Sequence, residues 1–155
     1  MAETETVFLP ANFRFENFAT EVSDVTPVGI SPPKTILDSD QDLQIKVSWE
    51  NHGLATGMVD GRWHLLVMAE SQGPGPEVIL VDPGDHIFAL DPGPEPRSYS
   101  RTVDVAAGTL PVVGGHGVTL YKLITSLTYF DAAGNRGPIA AYEEGPIIQI
   151  YDSTL

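Results

Sequence analysis

The sequence predicts an all-β protein, a two-sheet antiparallel β-sandwich of about seven to eight strands preceded by an N-terminal arm. Three observations predict it. Val118 to Phe130 reads VTLYKLITSLTYF, a strand written almost without interruption. Tyr121, Leu123, Leu127 and Tyr129 fall on one side, and Val118, Leu120, Ile124 and Phe130 on the other. A strand apolar on both sides is expected to be central and covered on both faces. Next, Asp42 to Glu50 alternates cleanly. Leu43, Ile45, Val47 and Trp49 oppose Gln44, Lys46, Ser48 and Glu50, the pattern of one buried and one wet face. Finally, the 15 glycines and 13 prolines fall largely between such runs, and no apolar stripe at helical spacing persists for four turns.

The elements follow in chain order. Residues 1–18 read as an arm, with an extended Thr4 to Leu9, an interruption at Pro10, and Phe13, Phe15 and Phe18 beyond it. With Phe8 this is too much apolar surface for a free tail, so the arm is expected to pack on its own domain or on another subunit. Residues 19–155 read as one domain. Its first strand is expected within Glu21 to Ile30, broken at Pro27 and closed by Pro32 and Pro33. After Asp42–Glu50, strands are expected at Gly61–Glu70, Glu77–Val81, His86–Leu90 and Tyr99–Val105. Val118–Phe130 follows, and then a last strand, Ile139–Tyr151, split at Gly145-Pro146. That proline cannot donate to a ladder, so it marks an edge, a bulge or a change of sheet.

Composition excludes several functions. The formal charge is −13, from 21 acidic and 8 basic residues, which opposes nucleic acid and anionic lipid. The charge suits solubility, a cation or a basic partner. There is no cysteine, so disulfides, thiolate nucleophiles and cysteine-based metal sites are absent. The acidic start has no basic region and no long apolar run, so no signal peptide is expected in this chain. A cytoplasmic protein or part of a released assembly fits, with no membrane insertion.

The strand and turn at Leu43 to Gly53, LQIKVSWENHG, resemble bacterial immunoglobulin-like and fibronectin-like sandwich domains, especially the CARDB-like group. Ala55-Thr56-Gly57, the strand at Trp63 to Val67, and Tyr121 to Asp131 with its Asp-x-x-Gly-Asn turn continue the likeness. The resemblance implies an adhesive, spacer or binding module rather than an enzyme. The N-terminal arm and the Gly/Pro-rich loops between Ser71 and Ser98 depart from the pattern.

Candidate sites are few. Asp38, Asp40 and Asp42 have the alternate spacing that opens a calcium loop. Leu43 and Trp49 stand where an EF-hand requires Gly and Glu, so an acidic turn explains the same residues. Asp82, Asp85 and Asp91 flank turns and offer a second calcium reading, again against turns explained by Pro and Gly. The four histidines, His52, His64, His86 and His116, form no paired metal motif. No nucleophile elbow or phosphate loop occurs. Glu143 and Glu144 are neighbours on a strand and point to opposite faces, so they cannot act as a glycosidase pair. Trp49 and Trp63 read as core.

The arm is the strongest interaction candidate, through Val7, Phe8, Leu9, Phe13, Phe15 and Phe18, which could add or exchange a strand on a neighbour. The expected function is a non-enzymatic structural or self-assembling module, with itself as partner and no cofactor. A calcium- or protein-binding adhesion module and an enzyme with a loop-built site are the alternatives.

Overall fold

The computed structural model describes residues 3–6, 9–57, 60–82, 87–89, 94–113 and 117–154. Those residues form eleven strands and one short 3-10 turn, Leu54–Gly57. They make a sandwich-like pair of sheets, all-β as expected. Strands β1 (Glu3–Glu5), β4 (Ile36–Asp38), β6 (Arg62–Ser71), β7 (Glu77–Val81), β8 (Ile87–Ala89), β10 (Val118–Phe130) and β11 (Arg136–Tyr151) form one sheet. β10 lies at its centre between β6 and β11. β1 and β4 both pair with β11, and β7 and β8 both pair with β6. The second sheet runs β3 (Gly29–Ile30), β2 (Arg14–Thr26), β5 (Asp42–His52), β9 (Arg97–Val105). Pairing is antiparallel except where β4 joins β11 in parallel. The described strands outnumber those expected because β1, β3 and β4 are too short to carry an alternating pattern.

The inward residues of β5, namely Leu43, Ile45, Val47 and Trp49, are buried as their alternation predicts. β10 differs from expectation. Tyr121, Leu123, Leu127 and Tyr129 are buried, but Val118 and Leu120 on the other side remain 39% and 44% exposed. The physical reason is that a two-layer sandwich has only one core, so the second apolar side of β10 lies on the outer face of its sheet. β11 runs unbroken through Gly145-Pro146. A register shift against β10 occurs between Lys122 and Ile124, and Gly145 has φ 108°, so this element is a bulge.

An aromatic cluster joins the sheets. Trp63 of β6 meets Trp49 of β5 edge to face at 6.3 Å, and Tyr99 of β9 stacks on Trp49 at 5.5 Å. Phe13 is 1% exposed, Phe15 meets Trp63 at 5.6 Å, and Phe18 stacks on Trp49 at 6.0 Å. β2 therefore begins at Arg14 and passes through residue 18 without a break. Phe15 and Phe18 are three apart, so both reach the core only if the strand takes up an extra residue. The register against β5 does shift between Glu16 and Ala19, and Asn17 sits there with φ 52°. Asparagine tolerates the left-handed region better than most residues.

At the end of β5 the chain passes Gly53 with φ 104°. A Cβ there would run into the carbonyl of Asn12, whose oxygen accepts a hydrogen bond from Ala55 N at 2.8 Å. Gly53→Ala is expected to lower folding stability by about 3 kcal/mol, combining left-handed strain with loss of that contact. Urea unfolding checks it, and an unchanged midpoint would show that the Asn12 segment yields freely.

Candidate functional site

Two surfaces carry chemistry. The first is polar and lies on the outer face of the four-stranded sheet, at the bulge. Glu50 and His52 are two apart on β5, so their side chains share its wet face. The register sets Glu16 of β2 opposite Glu50 and Arg14 opposite His52. The His52 Nε2 lies 3.0 Å from Glu16 Oε2 and 3.6 Å from Glu50 Oε2. One ligand atom from each of Glu16, Glu50 and His52 falls within 4.8 Å of the others. Among the described residues this is the group of three acidic or histidine side chains that converges so closely. Arg14 Nε donates to Glu16 Oε1 at 2.8 Å, and Asn17 Nδ2 donates to Glu50 Oε2. The bond from Arg14, helped by the charges of His52 and Arg14, holds the Glu16 carboxyl below its ordinary pKa against a smaller opposing effect of desolvation. A shallow groove of about 340 Å³ adjoins the cluster, bounded by Asn17, Lys46, Ser48, Glu50, Ser98 and Ser100 among others.

The second surface is the outer face of the seven-stranded sheet. Cross-strand register places Ile79, Met68 and Ile124 in one row. Leu66, Ser126 and Tyr142 form the next. Ile147 stands beside Lys122, and Leu120 beside Gln149 and Ile36. Ile79, Ile36 and Ile147 are each more than half exposed. Lys122 reaches Glu144 at 3.4 Å and Glu70 at 3.6 Å. The Tyr142 hydroxyl donates to Glu144 Oε1 at 2.8 Å, and that bond, with Lys122, holds the Glu144 carboxyl below the usual range. At one end His64 stacks on Phe130 at 3.8 Å. Burial, and then the Arg62 charge, lower the His64 pKa.

The residues singled out in the sequence are dispersed. Asp38 Oδ1 accepts from Asp40 N at 3.0 Å, and Asp42 Oδ1 accepts from Ala107 N at 2.9 Å, so two of the three tie turns together. Asp40 Oδ2 faces Ser153 Oγ at 3.5 Å. Asp82 is exposed at the end of β7, while Asp85 and Asp91 lie outside the described residues. In the arm, Val7 and Phe8 also lie outside them. Leu9 is 70% exposed, its carbonyl capped by the amides of Asn12 and Phe13. Phe13, Phe15 and Phe18 pack against the core of their own chain. Trp49 and Trp63 are core residues, as their strand faces imply. Glu143 points inward on β11 opposite Thr125, and burial raises its pKa.

The Glu16, Glu50 and His52 cluster escaped sequence reading. Its local signal is Glu50-x-His52 at the wet end of a clean strand. Glu16 joins only through the β2–β5 register, which alternation alone does not supply.

No protein-family model matches the chain, and a search of curated proteins gives no match. The likeness of Leu43–Gly53 and Tyr121–Asp131 to the CARDB-like group thus extends to the two-sheet architecture and not to that group in particular. Among the described residues no helix is long and apolar enough to cross a membrane.

Proposed function

We propose that this chain is a non-enzymatic structural module of immunoglobulin-like type that associates with a second copy of itself through the outer face of its seven-stranded sheet. The observation that carries the reading is the apolar row Ile79–Met68–Ile124, with Leu66, Leu120 and Ile147 on the same side, on a sheet face that no strand among the described residues covers. Ile79, Leu120 and Ile147 are exposed and Met68, Ile124 and Leu66 half-buried, and apolar side chains gathered on one open face mark interaction sites. The face is about five strands wide and about 40 Å long along β10, matching the roughly 800 Å² per partner of a standard interface.

Charge opposes a like partner less on this face than over the chain as a whole. The chain as a whole carries −13, which repels a second copy over most of its surface. Arg62, Lys122 and Arg136, three of its eight cations, project on this side among Glu3, Asp38, Glu70, Glu77 and Glu144, so the face is less acidic in proportion than the chain as a whole. The immunoglobulin-like reading is supported by Tyr121, whose hydroxyl donates to the Pro111 carbonyl at 2.5 Å. A tyrosine near the start of a central strand bonding back to the preceding loop is a feature of such sandwiches.

Ile79→Glu tests the proposal, because Ile79 is exposed and its replacement leaves the core intact. Light scattering on the full chain at high concentration is expected to show more than a monomer, and Ile79→Glu is expected to return the monomer mass. A monomeric full chain, or a variant whose mass is unchanged, would overturn it.

A further inference from the structure

We propose that Glu16, Glu50 and His52 bind a divalent first-row transition-metal ion, with zinc as the test case. The geometry carries the inference. Neighbouring ligands in a zinc sphere with bonds of about 2.1 Å stand about 3.0 Å apart in octahedral and about 3.4 Å apart in tetrahedral arrangement. The His52 Nε2 lies 3.0 and 3.6 Å from the two carboxylate oxygens it faces. That nitrogen is shut off from solvent, yet meets neither oxygen in hydrogen-bond geometry. In the neutral Nδ1–H form of His52 its Nε2 lone pair and the two carboxylate oxygens point into one small space, which suits a cation.

Ligand type selects the ion. An imidazole with two carboxylates suits zinc, manganese or iron(II), whereas calcium takes oxygen ligands throughout. Three protein ligands leave positions for water, and the adjoining groove reaches the cluster on its Glu50 side.

The surroundings pre-set the ligands. Arg14 engages Glu16 Oε1, leaving Oε2 turned toward His52. Asn17, held at φ 52° in the bulge, donates to Glu50 Oε2, the oxygen that faces His52, so it orients that oxygen while taking one of its two lone pairs. Such outer partners fix the orientation of metal ligands. Two carboxylates against one guanidinium leave the cluster net negative when His52 is neutral, so the field favours a dication. An ion there would tie β2 to β5 at the residue where their register shifts.

The other reading of the same contacts is an ion pair between a protonated His52 and the two glutamates, and the experiment separates the two. Zinc chloride is titrated into the full chain by isothermal calorimetry at neutral pH, and cobalt(II) is added separately to follow its visible absorption. One binding site is expected, with a rise in unfolding temperature in zinc. His52→Ala and Glu16→Gln, both at partly exposed positions, are expected to remove that site. Asn17→Ala is expected to weaken it about ten- to a hundredfold. Circular dichroism shows that each variant is folded. No binding at millimolar zinc leaves only the ion pair and overturns the proposal. Undiminished binding in folded His52→Ala puts the ion elsewhere and also overturns it.

Discussion

Trp63→Ala is expected to cost about 3–5 kcal/mol of folding free energy, a large share of the roughly 5–15 kcal/mol that holds a domain of this size. Trp63 is fully buried on β6. Its ring meets Phe15 at 5.6 Å, Tyr129 at 5.8 Å, Trp49 at 6.3 Å and Tyr99 at 6.4 Å, so it touches both sheets. Truncation removes a large apolar area and the edge-to-face contacts together. The remaining rings belong to strands of two sheets whose backbones are fixed by ladders, so the space cannot close fully. Chemical denaturation with tryptophan fluorescence from Trp49 would measure the loss. A cost below about 1 kcal/mol would mean that the neighbouring rings refill the space, and that the inter-sheet cluster is more plastic than its packing implies.

The same interior shows what sequence patterning reveals and what it leaves hidden. β5 was legible over Asp42–Glu50 because one face is wet, so Gln44, Lys46, Ser48 and Glu50 mark the period, but its continuation through Asn51 and His52 was not. β10 was legible as a strand, but its environment was not. Apolar residues on both sides look alike whether the second side meets another layer or lies open, and Leu120 and Val118 lie open. The beginning of β2 was hidden for a different reason. The bulge at Asn17 changes the period, so Phe13, Phe15 and Phe18 do not read as one strand although all three turn toward the core. That bulge also brings Asn17 to Glu50 beside Glu16 and His52. One irregularity thus concealed both the start of the strand and the candidate metal cluster. The acidic turn between Asp38 and Asp42 was legible as a turn. Asp38 and Asp42 each place one oxygen on a backbone amide, a use that spacing does not distinguish from metal ligation.

Deletion of residues 1–18 is expected to unfold the protein, whereas deletion of residues 1–6 leaves it folded. The first deletion removes Phe13, which is buried, and Phe15 and Phe18, which pack on the core. Burying a phenylalanine contributes about 1.5–3 kcal/mol when complete, so losing three approaches the whole stability of a marginal domain. It also strips Arg14, Phe15 and Glu16 from the β2–β5 ladder. The second deletion removes only β1, whose Glu3, Thr4 and Glu5 pair with Tyr142, Ala141 and Ala140 at the edge of β11. Near-ultraviolet circular dichroism distinguishes the outcomes, since the tryptophan cluster gives a signal only when packed. A native spectrum after the longer deletion would show that residues 13–18 are dispensable to the fold and free to serve another chain. A lost spectrum there, with a native one after the shorter deletion, confines any strand exchange between copies to β1 and the segment just beyond it. Light scattering on the shorter deletion then reads that exchange in a folded protein, separately from association through the Ile79 face.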